Sequence, residues 1–410
     1  MLRVKTAVPG AIQAAIDAAA GAGGDTVVVP AGEYPCARLE MKSGVHLVLE
    51  EGARVLGTHD DPDDVPDALV CASGARGVRI GGAGVFDGRG TIDAYPEKKA
   101  KRPRGFLFRE CSDVVVEGIT FRNSASWGLH FAQCEDLKID GVTVFNHNNR
   151  NNDGIDICDC ARVSITNCDV SSDDDGICLK SFTPRGCSDI EVTDCTVASH
   201  CNALKTGTES YGAFRNISFR DCRVVGAKSD EVFYGTALGQ SAICITNVDG
   251  AALEDIHVGD IEVTSGTAIP IFLRLGARLR PYANPAARPV GTFRRVTLER
   301  IRAHGTASSP HACALAGVSV DGATHYLEDI ELRDIDVRYA GDGGDALEKV
   351  AEMPDSYPHA NILGALPAWG LYCRHVRGLK LRDVHVSCEG DERRAPITYD
   401  DVLRIDDSAG

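Results

Sequence analysis

The strongest constraint on this chain is a repeat of roughly two dozen residues with strand-like alternation. Asn151-Asn152-Asp153-Gly154-Ile155-Asp156-Ile157, Asp174-Asp175-Gly176-Ile177-Cys178-Leu179-Lys180 and Cys201-Asn202-Ala203-Leu204-Lys205-Thr206-Gly207 share one design. If Ile155, Ile177 and Leu204 occupy the same inward site, the spacings are 22 and 27 residues, and Gly128-Leu129-His130 adds a copy 26 residues earlier. Repeats of this length with period-two patterning, rather than paired helices, imply a β-solenoid whose coils stack on one another. Stacked strands lie about 4.8 Å apart, so residues distant in sequence share one patch.

That alignment gathers charge. Three positions before each outward residue stand Trp127, Asp153, Asp175 and Asn202, and the outward residues themselves are His130, Asp156, Cys178 and Lys205. Any single Asp has a plain reading as a turn residue that caps its own backbone. Asp153, Asp174 and Asp175 converging on one face do not, because like charges held together cost stability and are tolerated where acid/base work needs split pKa values. Calcium is the other use for clustered carboxylates, but the spacing fits no calcium loop, so neither metal nor cofactor is expected. Lys180, Lys205 and Arg274, the last within Ile271-Phe272-Leu273-Arg274-Leu275, face outward by the alternation. Each base taken alone has pairing with a nearby Asp as its alternative. With Trp127 and His130 one coil away, the set suits a sugar ring stacked on an aromatic and bearing a negative group.

At 410 residues the chain exceeds a usual single core, yet a solenoid grows along one axis, so one domain over 1–410 suffices. Residues 1–24 are expected as an N-terminal cap, 25–390 as roughly ten coils and 391–410 as a C-terminal tail. The cap rests on Ala11 to Ala20, with Ile12 and Ile16 at helical spacing and Gly21 to Gly24 ending it. Thr91 to Gly105, with Lys98, Lys99, Lys101, Arg102 and Arg104, is expected as a projecting loop, either a solvated charge run or a wall of the substrate groove. Leu279 to Pro289 and Gly341 to Pro367 are expected as further loops.

The net charge of −16 and pI near 5.2 exclude a nucleic-acid partner. They also require that any anionic substrate meet a local basic patch. No stretch reads as a membrane span. Cys160 and Cys187 are 27 residues apart, as are Cys168, Cys195 and Cys222 in turn, which places thiols in a ladder inside successive coils. With the N-terminal Met1-Leu2-Arg3-Val4-Lys5 lacking a signal-peptide pattern, a cytoplasmic location is expected, or a secreted one if a leader was removed. The oligomeric state is not legible.

Gly81-Gly82-Ala83-Gly84 leading to Asp87-Gly88-Arg89-Gly90, then Asn152-Asp153-Gly154-Ile155-Asp156-Ile157, then Asp174-Asp175-Gly176-Ile177, resemble the polygalacturonase-type glycoside hydrolases of family 28. The resemblance implies an all-β, single-stranded, right-handed parallel β-helix of the pectin-lyase-like kind. It implies that Asp153 and Asp174 position the attacking water, that Asp175 protonates the leaving oxygen, and that configuration inverts. One coil step of about 4.8 Å between Asp153 and Asp175 is nearer the retaining spacing of about 5–5.5 Å than the inverting one of about 6.5–9.5 Å. Two motifs depart. The family's Gly-His-Gly falls on Cys201-Asn202-Ala203, with His200 out of register, and its Arg-Ile-Lys falls on Cys244-Ile245-Thr246. Lys205 and Arg274 are the expected replacements. The implied substrate is a galacturonan, a rhamnogalacturonan or another uronic-acid-containing glycan, trimmed from its end by a cytoplasmic enzyme. A polysaccharide lyase or epimerase on the same fold, and a non-catalytic glycan-binding solenoid, are the competing classes.

Overall fold

A computed structural model describes residues 1–58, 65–96, 101–265, 267–282, 288–304, 311–341 and 349–408. Lys98 and Lys99 lie outside the described residues, as do parts of the two later expected loops, 283–287 and 342–348.

The period-two pattern becomes a parallel β-helix. Among the described residues the strands pair in parallel with their counterparts in adjacent coils, apart from a small antiparallel pair, Val318–Val320 with Ala323–His325. The register is the one the repeats imply: Leu129 opposite Ile155, Ile155 opposite Ile177, and Ile177 opposite Leu204. Ile243 and Ile271 continue the row, and all six side chains are buried. Fully burying such a side chain is worth about 1.5–3 kcal/mol, so a one-residue slip that turned the row outward would forfeit most of the core. Thiols fill the same interior. Cys134, Cys160 and Cys187 form one buried row, Cys168, Cys195 and Cys222 another, and all sixteen cysteines are free.

Helix Ala11–Gly21 covers the first coil with Ile12, Ile16 and Ala19, which join the core around Val27 and Leu47. Three residues after its end Gly24 adopts φ +108, where a β-carbon would lie 2.7 Å from the Gly44 carbonyl oxygen, a place no side chain fits. At the other end the stretch expected as a tail is a strand: Ala395–Ser408 pairs in parallel with Ala368–Cys388 and adds a rung to the helix.

The Asp-rich coil starts are turn chemistry. Asp136, Arg162, Asp189, Asn216 and Asp255 all sit at φ between 51 and 60, the left-handed region that Asp and Asn tolerate. Asp153, Asp174 and Asp175 are not in that conformation. Their side chains are therefore not explained by the turn.

Outward residues of the later coils do not all meet solvent. Cys244, Ile269, Phe272, Ala314, Ala316 and Tyr372 form a second apolar cluster beneath Val350, Ala360, Leu363 and Leu366. The segment 349–367, expected as a loop, lies across the outer face of the solenoid.

Candidate active site

The site is built on the turns that precede three stacked strands, Leu129–Ala132, Ile155–Cys158 and Ile177–Ser181. Coil-to-coil contact fixes those turns. A β-carbon on Gly154 would lie 2.5 Å from the Gly176 carbonyl oxygen, and one on Gly176 would lie 2.6 Å from that of Ala203. Backbone bonds tie the turns in series: Gly128 N–H donates to the Asp153 carbonyl and Gly154 N–H to the Asp175 carbonyl. Asn152 clamps the first turn by accepting from the amides of Asn148 and Asn149 and donating to the carbonyls of Ser124 and Ser126. Ser172 Oγ donates to the carbonyls of Asp174 and Asp175, and Ser199 Oγ to that of Asp174.

The three aspartates meet as the repeats place them. One carboxylate oxygen from each of Asp153, Asp174 and Asp175 lies within 4.8 Å of the other two, and the residues are only 2%, 7% and 3% exposed. Their partners differ. Lys180 Nζ donates to Asp153 Oδ2 at 2.6 Å and also to Asp156, while its ammonium stands 4.2 Å from the Trp127 ring centre. Lys205 Nζ and Asn202 Nδ2 each donate to Asp175 at 2.7 Å. Asp174 has no cation of its own. It accepts from Asn151 Nδ2 at 3.4 Å and from the Asp175 amide at 3.0 Å.

These environments split the acids. Burial, followed by the charges of Asp153 and Asp175, pushes the Asp174 carboxyl well above the usual range. Burial also works against the Asp175 carboxylate, but Lys205, Lys180 and the Asn202 amide outweigh it and hold the group below its ordinary value. Asp153 is raised by burial against the pull of Lys180, and Asp156 is raised well above its ordinary value by burial and by Asp153. Pairs of carboxyls driven apart in this way define an acid and a base.

The remaining expected residues divide. Asn202 and Lys205 are in the cluster, and Lys180 and Asp156 form its floor. Trp127 is half-buried, with His130 edge-on at 4.8 Å between ring centres. His130 is buried with neither ring nitrogen bonded, and burial followed by Arg104 and Lys180 holds it well below its ordinary value, so it is a neutral prop for Trp127. Arg274 is not in the site. It does lie on the outward face, but segment 349–367 covers that face, and Arg274 is 1% exposed with its guanidinium on the carbonyls of Gly317, Glu352 and Met353. Burial, then the charge of Arg374, lowers it to about 10. The expected substrate clamp at Arg274 is thus a structural anchor.

Arg278 was missed. It is bonded to Asp249 and Tyr282, its Nη1 is buried without a partner, and its guanidinium carbon lies 5.9 Å from the Tyr357 ring centre. Lys205 Nζ lies 5.8 Å from the same ring. Arg278 falls just past the strand Ile269–Leu275, where alternation gives no direction.

Among the described residues two groups have ligand atoms close enough for a metal: the three aspartates, and His147 with Asp173 and His200. In the first, the ammonium groups of Lys180 and Lys205 already pair with Asp153 and Asp175.

Residues 21–185 match the family model of glycosyl hydrolases family 28. No curated protein matches the chain in sequence. The fold is similar to that of a family 28 exopolygalacturonase from Yersinia enterocolitica, with a TM-score of 0.70 at 16% identity over 98% of this chain and 78% of that one. A hyperthermoactive exopolygalacturonase from Thermotoga maritima gives 0.65 at 20% identity, over 82% and 87%. A polygalacturonase from Erwinia carotovora ssp. carotovora gives 0.60 at 14%, over 97% of each chain. The matched stretch holds all three clustered aspartates and stops before Asn202 and Lys205, where the motifs depart. The chain is thus a right-handed parallel β-helix like these polygalacturonases, and over residues 21–185 it is similar to the glycosyl hydrolases of family 28.

Proposed function

We propose that this glycoside hydrolase cleaves pectic or other uronic-acid-containing oligosaccharides from a chain end, with inversion. The carrying observation is the trio of buried carboxylates within 4.8 Å, one of them driven toward the neutral form and one toward the ionised form. Two hydrogen bonds of about 2.8 Å at a near-tetrahedral angle span about 4.6 Å, so one water fits between two of these carboxylates. Asp175 and Asp153 hold and deprotonate that water as it attacks the anomeric carbon. Asp174 gives its proton to the leaving oxygen as the glycosidic bond breaks. This assignment exchanges the roles that motif resemblance gave to Asp174 and Asp175, because only Asp174 lacks a cation to keep it ionised.

The substrate's acidic class rests on what cation is left. Lys180 and Lys205 are committed to aspartates and Arg278 is paired with Asp249, but Arg278 keeps one nitrogen, Nη1, without a partner beside Tyr357, and a uronate carboxylate is assigned to it. End-on action is supported by segments 226–240 and 349–367, which bring Tyr234 and Tyr357 against the cluster. Sixteen free cysteines suit a reducing compartment, where the enzyme trims imported oligosaccharides. Incubation with a panel of pectic oligosaccharides, read for reducing ends and ultraviolet absorbance together, tests the reading. Reducing ends without absorbance support hydrolysis, absorbance indicates a lyase, and neither indicates binding alone. Early-time NMR of the product reads the anomer, and retention overturns the inverting mechanism.

A further inference from the structure

The turn that delivers Asp174 also carries polar groups with no part in glycoside chemistry. His147, Asp173 and His200 follow the strand ends Asn146, Ser172 and Ser199, which are paired in register, so the three stack in successive coils. They are 4%, 0% and 0% exposed, and one ligand atom from each lies within 4.8 Å of the other two.

Hydrogen bonding identifies the atoms left over. His200 Nε2 faces the Ser229 carbonyl at 3.2 Å, and a carbonyl only accepts, so Nε2 carries a proton. The neutral ring then turns a bare Nδ1 lone pair toward Asp173 Oδ1, 3.1 Å away, an oxygen that already accepts from the Phe233 amide at 2.8 Å. Two acceptors in contact repel unless positive charge joins them. Asp173 Oδ2 has no partner, and neither has His147 Nδ1, although His147 Nε2 is bonded to Ser171 Oγ at 2.8 Å. Leaving a buried polar group unpaired destabilises the fold, so this arrangement calls for an occupant. Both imidazoles are steadied through Nε2 by a protein oxygen, which is how metal-ligating histidines are held.

We propose that His147, Asp173 and His200 bind a divalent transition-metal ion of the zinc type through two imidazole nitrogens and one carboxylate oxygen. Two nitrogens and one oxygen are a zinc-type donor set, whereas calcium and magnesium prefer oxygen alone. The ion's place in the molecule is structural. Asp173 adjoins Asp174, and the same cluster clips down segment 226–240 through the Lys228 amide on Ser171, the Ser229 carbonyl on His200 and the Phe233 amide on Asp173. The rival is a protonated His200 paired with Asp173, which repairs one contact and leaves His147 Nδ1 and Asp173 Oδ2 unpaired.

The test uses the full chain, stripped with a chelator and then titrated with zinc chloride by equilibrium dialysis and metal analysis. One equivalent should bind, the thermal midpoint should rise as the site fills, and cobalt(II) in place of zinc should give the visible absorption of a nitrogen–oxygen site. His147→Gln and His200→Gln should each weaken binding at least tenfold, while Asp153→Asn, in the neighbouring cluster, should leave it unchanged. Failure of the folded wild-type protein to bind stoichiometrically overturns the proposal, and so does binding that survives both histidine changes but is lost in Asp153→Asn. The cobalt spectrum needs no variant, so the proposal stays testable if a histidine variant does not fold.

Discussion

Replacing Lys180 with Met tests the electrostatics of the site most directly. The side chain is 4% exposed, and its single ammonium serves Asp153 and Asp156, themselves 3% and 0% exposed. Met keeps most of the stem and removes the charge, leaving two buried carboxylates with one cation fewer. Removing one partner of a buried ion pair costs about 3–5 kcal/mol, and that is the expected loss at neutral pH in urea unfolding. The loss should depend on pH. Burial already raises Asp153 and Asp156, and removing Lys180 takes away the main group that opposes it, leaving the weaker pull of Lys205 on Asp153, so their folded-state pKa values climb further above the unfolded value of about 3.9. Between those limits the folded protein holds more protons than the unfolded chain, so the variant's stability falls as pH rises through the window. The deficit against wild type should therefore be small near pH 4 and complete at pH 8. Adding Asp156→Asn should recover part of it by removing one uncompensated charge. Turnover should fall by about a hundredfold or more, because a neutral Asp153 no longer activates water. A loss under about 1 kcal/mol, or one equal at pH 5 and pH 8, refutes the reasoning.

Asp174→Asn and Asp175→Asn should each lower turnover of oligosaccharides by about 10²–10⁴-fold, but only Asp174→Asn should recover on an aryl glycoside whose leaving group needs no proton; rescue of Asp175→Asn instead restores the opposite roles. Arg278→Lys, which keeps a charge for Asp249 but loses the planar fork, should raise KM for acidic oligosaccharides about tenfold and leave neutral ones alone, and an unchanged KM removes the uronate reading. Arg274→Met should lower stability by a few kcal/mol through loss of its three carbonyl contacts, with KM unmoved; a KM effect at full stability would return it to the site. Thiol titration of denatured protein without reductant should find all sixteen cysteines free, and a count far below that sinks both the ladder and the reducing compartment.

Which of these positions the sequence could disclose follows from where each sits relative to the repeat. Leu129, Ile155, Ile177 and Leu204 were legible because a solenoid makes one inward position recur, and an error of one residue would have reversed the face of every side chain. The same register carried Asp153, Asp175, Asn202 and Lys205 into one patch, since a turn between identical coils has little freedom to scatter them. Asp174 was placed by the repeat, but the role we propose for it, that of the acid, was not legible. Its charge state depends on the absence of a cation, and an absence has no sequence signal. Arg274 shows the opposite limit. Alternation correctly put it on the outward face, but whether that face meets solvent, substrate or protein depends on segment 349–367, whose irregular composition carries no periodicity to register against the coils. Arg278 is hidden for the same reason, one residue type and a few positions away, beyond the strand where alternation stops. The stretch from Ala395 was taken for a tail because its acidic residues mask the alternation of Ile397, Tyr399, Leu403 and Ile405, three of which are at least 37% exposed in the last rung. Among the described residues no coil follows this strand, so it looks polar by composition and is held by backbone pairing and by Ile397 and Val402 against the core. The architecture and the clustered carboxylates are thus properties of the repeat, whereas Arg278 and Tyr357 come from the segments that interrupt it, and those are where proteins sharing the fold at 14–20% identity have most room to differ.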